Sequence, residues 1–579
     1  MKNYNLKSLN AFTKFKYTAK LLGCTWALLG LISTSTQVYA SDFNSSISTY
    51  DINQSKVTIK GVVVDERNEP IVGANIMEKG TSNGTISDIE GAFTLTVSSD
   101  ATLKITFIGY VDKQLSIKGK TNFRVVLSED TNALDEIVVV GYGTARKQDL
   151  TSAISSVKSE DIDKFFSGNI QSSLQGQVAG VTVVNSSGAP GSNPSVTIRG
   201  ISNFGDNKPL YVVDGIPMGT DIRYLDPNDI ESMEVLKDAS ATAIYGTQAS
   251  NGVILITTKK GKAGKVNFQF DASFGLQTIG SPNMADGLEY AKVLNEKALN
   301  DNGPDAALPF PDLNEVHTTN WWREVMNKVA PQQKYNLSFN GGSDKIVYSA
   351  SLGYYRQDSQ MDKGYWEKIS SRFNLDFNFN RYVSFTQNLN VSFEGQEDTP
   401  GVVGNILKMD PTTPVFIPEE ERVNDGINDR SKPLNWYHRS IHNQAHNPVG
   451  AVARAGNDSY SSYRFISNST LTVKPIAGLT LRSQLGLGFR FNEKDIFSPT
   501  FFIDNLERNE RSKIERRHNN SSNWSWNNTA TYEKKIKKHS FTFMAGMTME
   551  KYRSRTLQGS RNDLPGEFES LRQIDAATG

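Results

Sequence analysis

The 579 residues contain one cysteine, Cys24, and it lies inside a leader-like N-terminal stretch. A mature chain without it cannot be a disulfide-built scaffold, hold a thiolate metal site or use a cysteine nucleophile. Net charge is missing too: 62 basic residues balance 62 acidic ones. The first 40 residues carry five lysines (Lys2, Lys7, Lys14, Lys16, Lys20) and no acid, so the remainder is at −5. That balance lacks the basic footprint of a nucleic-acid binder, and no nucleic acid is expected as a partner. Past the leader, no run approaches the ~20 apolar residues of a membrane helix. A β-barrel is left open, because its strands alternate lipid-facing and lumen-facing residues and keep mean hydropathy modest.

What the chain does have is aromatics at 10% and 45 glycines, which suits strands with many turns. Residues 1–40 read as a secretory signal: a lysine-bearing start to Lys20, an apolar core Leu21–Ile32, and Val38-Tyr39-Ala40 at the cleavage point. Leu21-Leu22-Gly23-Cys24 spells a lipobox, but only three residues separate Lys20 from Cys24, so cleavage after Ala40 is the expectation. The Ser/Asn-rich stretch 41–56 reads as a linker.

Residues 57–128 show short strands divided by turns: Val57–Asp65, Ile71–Glu78, Ala92–Val97, Leu103–Phe107, Val111–Ile117 and Phe123–Leu127. They predict a small β-sandwich. Its segments Gly61-Val62-Val63-Val64-Asp65, Pro70-Ile71-Val72-Gly73-Ala74 and Gly84–Phe93 resemble the carboxypeptidase regulatory-like domain, with Asn68-Glu69-Pro70 departing where the family usually has Gly before Pro. That domain is not the catalytic part of its family, so the likeness implies no peptidase.

Residues 129–145 hold Leu134, Asp135, Glu136 and the β-branched run Ile137, Val138, Val139, Val140, then Gly141-Tyr142-Gly143. Two readings stand: a last strand of the sandwich, or a strand kept free for a partner that adds to it through main-chain hydrogen bonds. Residues 146–262 predict a compact α/β unit. Its strands fall at Ile154–Val157, Val181–Val184, Ser195–Ile198, Leu210–Val213, Ser232–Leu236 and Gly252–Thr258. Helices are expected at Asn169–Val178, after Asp226-Pro227-Asn228-Asp229, and at Ala239–Tyr245.

From residue 263 to 579 the texture changes. Val266, Phe268, Phe270, Ala272, Phe274 and Leu276 are apolar at every second position. Eight further stretches repeat this, near 335–339, 346–354, 373–379, 383–393, 463–473, 479–491, 524–532 and 541–549. Strands of ~9–11 residues cross a bilayer when tilted, and soluble strands more often run ~5–6. No fixed-period repeat argues for a solenoid. The long polar connections 280–331 and 395–460 oppose short turns, the asymmetry of outer-membrane barrels. The predicted fold class is mainly β: sandwich, α/β plug, then an antiparallel transmembrane barrel.

No catalytic, cofactor or metal constellation emerges, so no enzyme is expected. Gly119-Lys120-Thr121 ends like a phosphate loop, but position 114 is Gln where the motif needs Gly. His438, His442 and His446 sit four apart without carboxylate support and read as solvated loop histidines. Asn424–Asp429 lacks the calcium-loop order. Trp524 and Trp526 read as an interfacial girdle, and Trp321 and Trp322 as loop residues able to stack on a ligand. Arg199 and Asp214 are expected to be structural.

Val138–Thr144, Asp149-Leu150-Thr151, Leu174–Val181, Ile198-Arg199-Gly200, Tyr211–Gly215 and the 234–259 segment together resemble the SusC/RagA family of TonB-linked outer-membrane transporters. The resemblance spans the exported chain in the family's order. It implies that Leu134–Val140 is a TonB box contacted by TonB. It further implies import of an oligosaccharide or oligopeptide, a SusD-like lipoprotein partner, and contact with outer-membrane lipid. Family barrels close with about 22 strands, a size class that encloses a plug. Nine strands cannot, so the sequence reads as an N-terminal fragment. The competing function is a surface receptor for signalling or adhesion that uses the barrel as an anchor. Such receptors usually carry a mixed α/β domain ahead of the TonB box, where this chain reads as all-β.

Overall fold

The computed structural model describes residues 56–575, other than 67, 80, 82, 108–109, 111, 118, 129–136, 141–142, 147–153, 203, 327, 425–429, 457 and 537–538. The leader expected over 1–40, and residues 41–55 of the expected linker, lie outside that range. Two compact units divide the chain, Met1–Ala133 and Leu134–Gly579.

The first unit has two sheets. One orders β4 (Ala92–Ser98), β1 (Lys56–Val64) and β7 (Asn122–Val126); the other orders β3 (Gly84–Ile86), β2 (Asn75–Glu78), β5 (Thr102–Thr106) and β6 (Lys113–Ser116). Alternate residues point into a shared core of Ile59, Val63, Ile76, Leu95, Val97, Leu103 and Ile105. Gly91 has φ +74, and a Cβ there would stand 2.5 Å from the Val63 carbonyl, so only glycine closes this corner. The sandwich expected from the sequence is present, with β2 starting later than Ile71 and β3 not foreseen.

The second unit opens on a two-stranded ribbon, β8 (Ile137–Val140) with β9 (Gly143–Arg146). It then builds a five-stranded sheet in the order β10 (Ile154–Lys158), β15 (Ile230–Leu236), β16 (Val253–Thr258), β13 (Leu210–Val213), β14 (Ile216–Gly219). A separate pair joins β11 (Val181–Val184) to β12 (Ser195–Ile198). Both faces of the five-stranded sheet are covered. Tyr211, Val213, Met233, Val235, Ile254 and Ile256 pack against Ile170, Leu174 and Tyr224 on one side. Leu210, Val212, Leu236 and Leu255 pack against Ala241, Tyr245 and Ala249 on the other.

Two helix expectations are corrected. The stretch after Asp226–Asp229 is strand β15, because Ile230–Leu236 pairs with β10 and β16 and the Pro227–Asp229 turn only launches it. The helix over Asn169–Val178 shrinks to a 3-10 turn, Ile170–Leu174, capped by the Asn169 side chain.

The rest is one antiparallel sheet of nine strands: β17 (Gly264–Gln277), β18 (Ala330–Gly342), β19 (Ile346–Asp358), β20 (Tyr365–Asn378), β21 (Val383–Glu397), β22 (Ser459–Val473), β23 (Leu479–Ser498), β26 (Lys513–Ile536) and β27 (His539–Asn562). A small pair, β24 (Phe501–Phe502) and β25 (Arg508–Asn509), sits in the β23–β26 connection. All nine strands foreseen from alternation are present. They run from 13 residues to 24, longer than the ~9–11 that suffice to cross a bilayer. Their outward positions are apolar and exposed, as at Phe268, Phe270, Phe465, Phe489 and Trp526. Their inward positions are polar and buried: Asn336, Ser351, Lys368, Arg372, Asn374, Asn390 and Glu394. An apolar outside over a polar inside is the inverse of a soluble sheet and the signature of a lipid-facing barrel wall. The short connections 343–345, 379–382 and 474–478 all fall at one end, and the long ones 278–329, 398–458 and 499–512 at the other.

Candidate functional site

The site is the seam where the 154–258 sheet and its loops meet the inner face of the wall. Its lower knot is the turn between β13 and β14. Asp214 (φ +49) and Gly215 (φ +84) both take left-handed backbone, the two-residue hairpin geometry that favours Asp-Gly. The Asp214 carboxylate receives the Thr258 amide at 3.1 Å and hydroxyl at 2.9 Å, Arg372 Nη2 at 2.8 Å and Asn388 Nδ2 at 3.2 Å. Its carbonyl accepts Asn468 Nδ2 at 3.3 Å and Gln484 Nε2 at 3.0 Å. One turn is thus gripped by four consecutive wall strands, β20 to β23. Burial disfavours the charged carboxylate, but Arg372 beside it and the Thr258 bonds prevail and hold its pKa below the usual range.

A second knot lies nearer the long connections, since it uses Arg464 and Arg490 where the first uses Asn468 and Gln484 on the same strands. Asp221 meets Arg464 Nη2 and Arg490 Nη1, each at 3.0 Å, and Arg223 Nε at 3.4 Å. Arg223 also faces buried Glu394 at 3.9 Å. Burial opposes the Asp221 charge, and the three guanidiniums, Arg464 foremost, overcome it and push its pKa down. Lys368, fully buried on β20, donates to the carbonyls of Gly168 (2.7 Å), Leu225 (2.8 Å) and Arg223 (3.1 Å). The Trp366 ring fits against Gly191 (φ +69), where a Cβ would come within 2.6 Å.

Beside these knots the seam opens into a polar cavity of about 410 Å³ lined by Asp163, Asn228, Asp229, Lys259, Lys334 and Asp271 among others. Lys334 Nζ donates to Asn228 Oδ1 at 2.9 Å. Burial, then the Asp226 charge, pushes the Asp229 carboxyl up to about 6. Burial also raises Asp163, against the pull of Lys259.

On the long-connection side the expected loops carry structure of their own. The helix Gly287–Asn302 starts at Asp286, whose carboxylate accepts the Glu289 amide at 2.8 Å. Trp321 and Trp322 are corrected from ligand-stacking residues. They start the helix Trp321–Val325 and are buried with Met361, Val402, Ile406, Met409 and Val452. The Trp321 indole donates to the Asp410 carbonyl at 2.7 Å, tying 278–329 to 398–458. Asp410 in turn accepts Thr412, Thr413 and Ser440.

The other residues singled out from the sequence disperse. Leu134, Asp135 and Glu136 lie outside the described residues; Ile137, Val138, Val139 and Val140 pair with Arg146, Ala145, Thr144 and Gly143. The segment therefore has a facing strand nearby, which alternation alone does not reveal, and it joins neither sheet of the sandwich. Arg199 binds Asp238 at 2.6 Å, not Asp214. His446 pairs with Glu507 at 2.9 Å, His438 with the Arg439 carbonyl, and His442 lies against Phe310. Gly119-Lys120-Thr121 is a turn leading into strand β7. Trp524 and Trp526 are exposed on the outward face of β26. Arg372, Arg464, Arg490 and Lys368 escape the sequence reading, although a cation at a lumen-facing position of an apolar-alternating strand is a readable signal.

Comparison with known proteins agrees with this architecture. The TonB-dependent receptor plug domain matches residues 146–253, and the CarboxypepD_reg-like domain matches 59–139. The chain is 34% identical over 482 residues to the TonB-dependent receptor SusC of Bacteroides thetaiotaomicron, covering 79% of this chain and 47% of that protein. It is 30% identical over 529 residues to a TonB-dependent receptor of Formosa agariphila, covering 89% and 52%. Among solved structures, the RagAB peptide importer in its open-open state superposes with a TM-score of 0.65 at 26% identity, over 77% of this chain and 52% of that one. The chain spans about half the length of the curated relatives it matches. A plug domain held by polar contacts to the inner face of a lipid-facing wall defines a plugged outer-membrane β-barrel. The chain carries a TonB-dependent receptor plug domain and is similar along most of its length to TonB-dependent receptors of the SusC/RagA type.

Proposed function

We infer that the whole protein imports an oligomeric nutrient, a glycan or a peptide, across the outer membrane with energy delivered by TonB. A SusD-like surface lipoprotein works with it on the long-connection side. The division into leader (1–40), linker (41–56), sandwich (57–128), coupling segment (129–145), plug (146–262) and barrel (263–579) belongs to the same reading. The observation that carries it is the β8–β9 ribbon directly ahead of the plug. Among the described residues β8 pairs only with β9, so one edge of β8 keeps its backbone donors and acceptors free for an added strand.

TonB pairs along Leu134–Val140 and pulls on the chain leading into β10. Ligand favours release of this segment only through a difference in its affinity for the two plug states. Replacing Val138 with Pro removes a backbone donor from the ribbon. Uptake by cells is then lost while ligand binding to the purified protein persists; unchanged uptake refutes the reading.

A further inference from the structure

Three successive short turns of the wall each present an exposed cation. Lys345 stands in the β18–β19 turn, Arg381 in the β20–β21 turn and Lys474 at the start of the β22–β23 turn. The strands that carry them, β18 to β23, are each hydrogen-bonded on both sides, so these turns lie within the sheet and at neither edge. The turns are tied to one another: the Asn378 amide donates to the Lys345 carbonyl and the Lys474 amide to the Tyr382 carbonyl, both at 2.7 Å. Between them lies a cleft of about 440 Å³ lined by all three cations, with Asp344 as its one carboxylate. Among the described residues none of the three makes an ion pair. Arg381 is held over the Tyr382 ring, 4.5 Å from its centre, and donates to the Tyr382 hydroxyl. At the long-connection end of the same strands the cations are matched, Arg356 with Asp358 and Glu367, and Lys494 with Asp398.

The cleft sits at the foot of the apolar wall. Outward residues of β21 run from Val383 to Phe393, and β22 lies alongside in register from Val473 to Tyr463. Ten steps at ~3.4 Å per residue make about 34 Å. At a tilt of ~40° the column rises about 26 Å, against the ~25 Å apolar band of outer-membrane barrels. One polar residue interrupts the β21 column: Gln387, whose side chain bonds Ser467 and Ser469 across the strand pair. The three turns therefore fall just below the hydrocarbon, at the headgroup level of the leaflet on the short-turn side. Phe379, Tyr382 and Ile476 are exposed there, with Phe379 stacked on Phe377 at 6.0 Å, so aromatic residues mark this interface.

We propose that Lys345, Arg381 and Lys474 form a binding site for the phosphate of an anionic phospholipid in the periplasmic leaflet, whose acyl chains lie along the β21–β22 column. Cations gathered at a membrane surface attract anionic headgroups, and a preoriented guanidinium suits phosphate. The adjoining apolar column selects a lipid over a soluble anion. The site holds whichever nutrient the protein carries.

The test is native mass spectrometry of the full-length gene product in neutral detergent, mixed with phosphatidylglycerol or with phosphatidylcholine of the same acyl chains. Phosphatidylglycerol is retained at least fivefold better, and excess glycerol phosphate does not displace it. The triple variant Lys345→Gln, Arg381→Gln, Lys474→Gln loses that preference while keeping its heat-modifiable mobility on gels. In the unmodified protein, phosphatidylglycerol with a photoreactive headgroup labels residues within 343–345, 379–382 or 472–474. Labelling confined to other positions overturns the proposal, whether or not the variant assembles. Equal retention of the two lipids, displacement by glycerol phosphate, or an unchanged preference in the triple variant overturns it as well.

Discussion

Arg372 of the wall and Asp214 of the plug sit 2.8 Å apart, 158 residues from each other in sequence, with both side chains almost fully buried. Removing one partner of such a pair leaves the other charge uncompensated and costs about 3–5 kcal/mol. Arg372→Met therefore loosens the plug, read as faster protease cleavage within 210–258 in the full-length protein. Combining it with Asp214→Asn recovers part of the loss, because no buried charge is then stranded.

Acid and base act oppositely on two parts of the seam. Asp214 and Asp221 have lowered pKa values, so their stabilisation is present above the ordinary carboxylate range and lost as pH falls through and below it. Asp229, facing Asp226, Lys259 and Arg372, is raised to about 6. Its native form holds a proton more tightly than an unfolded chain with a pKa of about 4. Its contribution is thus most favourable at low pH and declines as pH rises through about 6. Asp229→Asn and the unmodified protein melt alike near pH ~4, and the variant gains steadily toward neutrality. A melting difference flat across that range contradicts the assignment.

Lys368 donates hydrogen bonds to three carbonyls at once. Lys368→Met strands them, at about 1–3 kcal/mol for each buried acceptor left unsatisfied. Hydrogen exchange then accelerates around Gly168 and Arg223–Leu225, with β26 and β27 unaffected.

Trp321 anchors the packed connections on the long-loop side. Trp321→Ala costs about 3–5 kcal/mol and exposes 278–329 and 398–458 to protease, leaving the barrel's heat-modifiability intact.

Much of the fold is legible in the sequence because alternation with period two is a local property. Val266–Leu276 and its eight counterparts declare their faces without reference to any neighbour. Polar partners are not local: nothing near Asp214 announces Arg372, Asn388, Asn468 or Gln484. The Asp226–Asp229 cluster looks like a helix start, yet pairing with β10 and β16 decides for strand. The Gly287–Asn302 helix is not foreseen, although Asp286 and Glu289 give the start signal of a cap and an acidic first turn. Trp321 and Trp322 are misplaced because a polar stretch of sequence suggests exposure, whereas the two long connections bury each other.

The central claim, that Leu134–Val140 is where force enters, is tested most directly by cross-linking. Cys24 is the sole cysteine among these 579 residues and lies in the expected leader, so Val139→Cys places the one thiol within residues 41–579. In cells carrying a single cysteine in the C-terminal domain of TonB, a disulfide-linked pair forms and increases when the transported nutrient is supplied. Absence of that product at each of positions 137 to 140, with the receptor present in the outer membrane, contradicts the account.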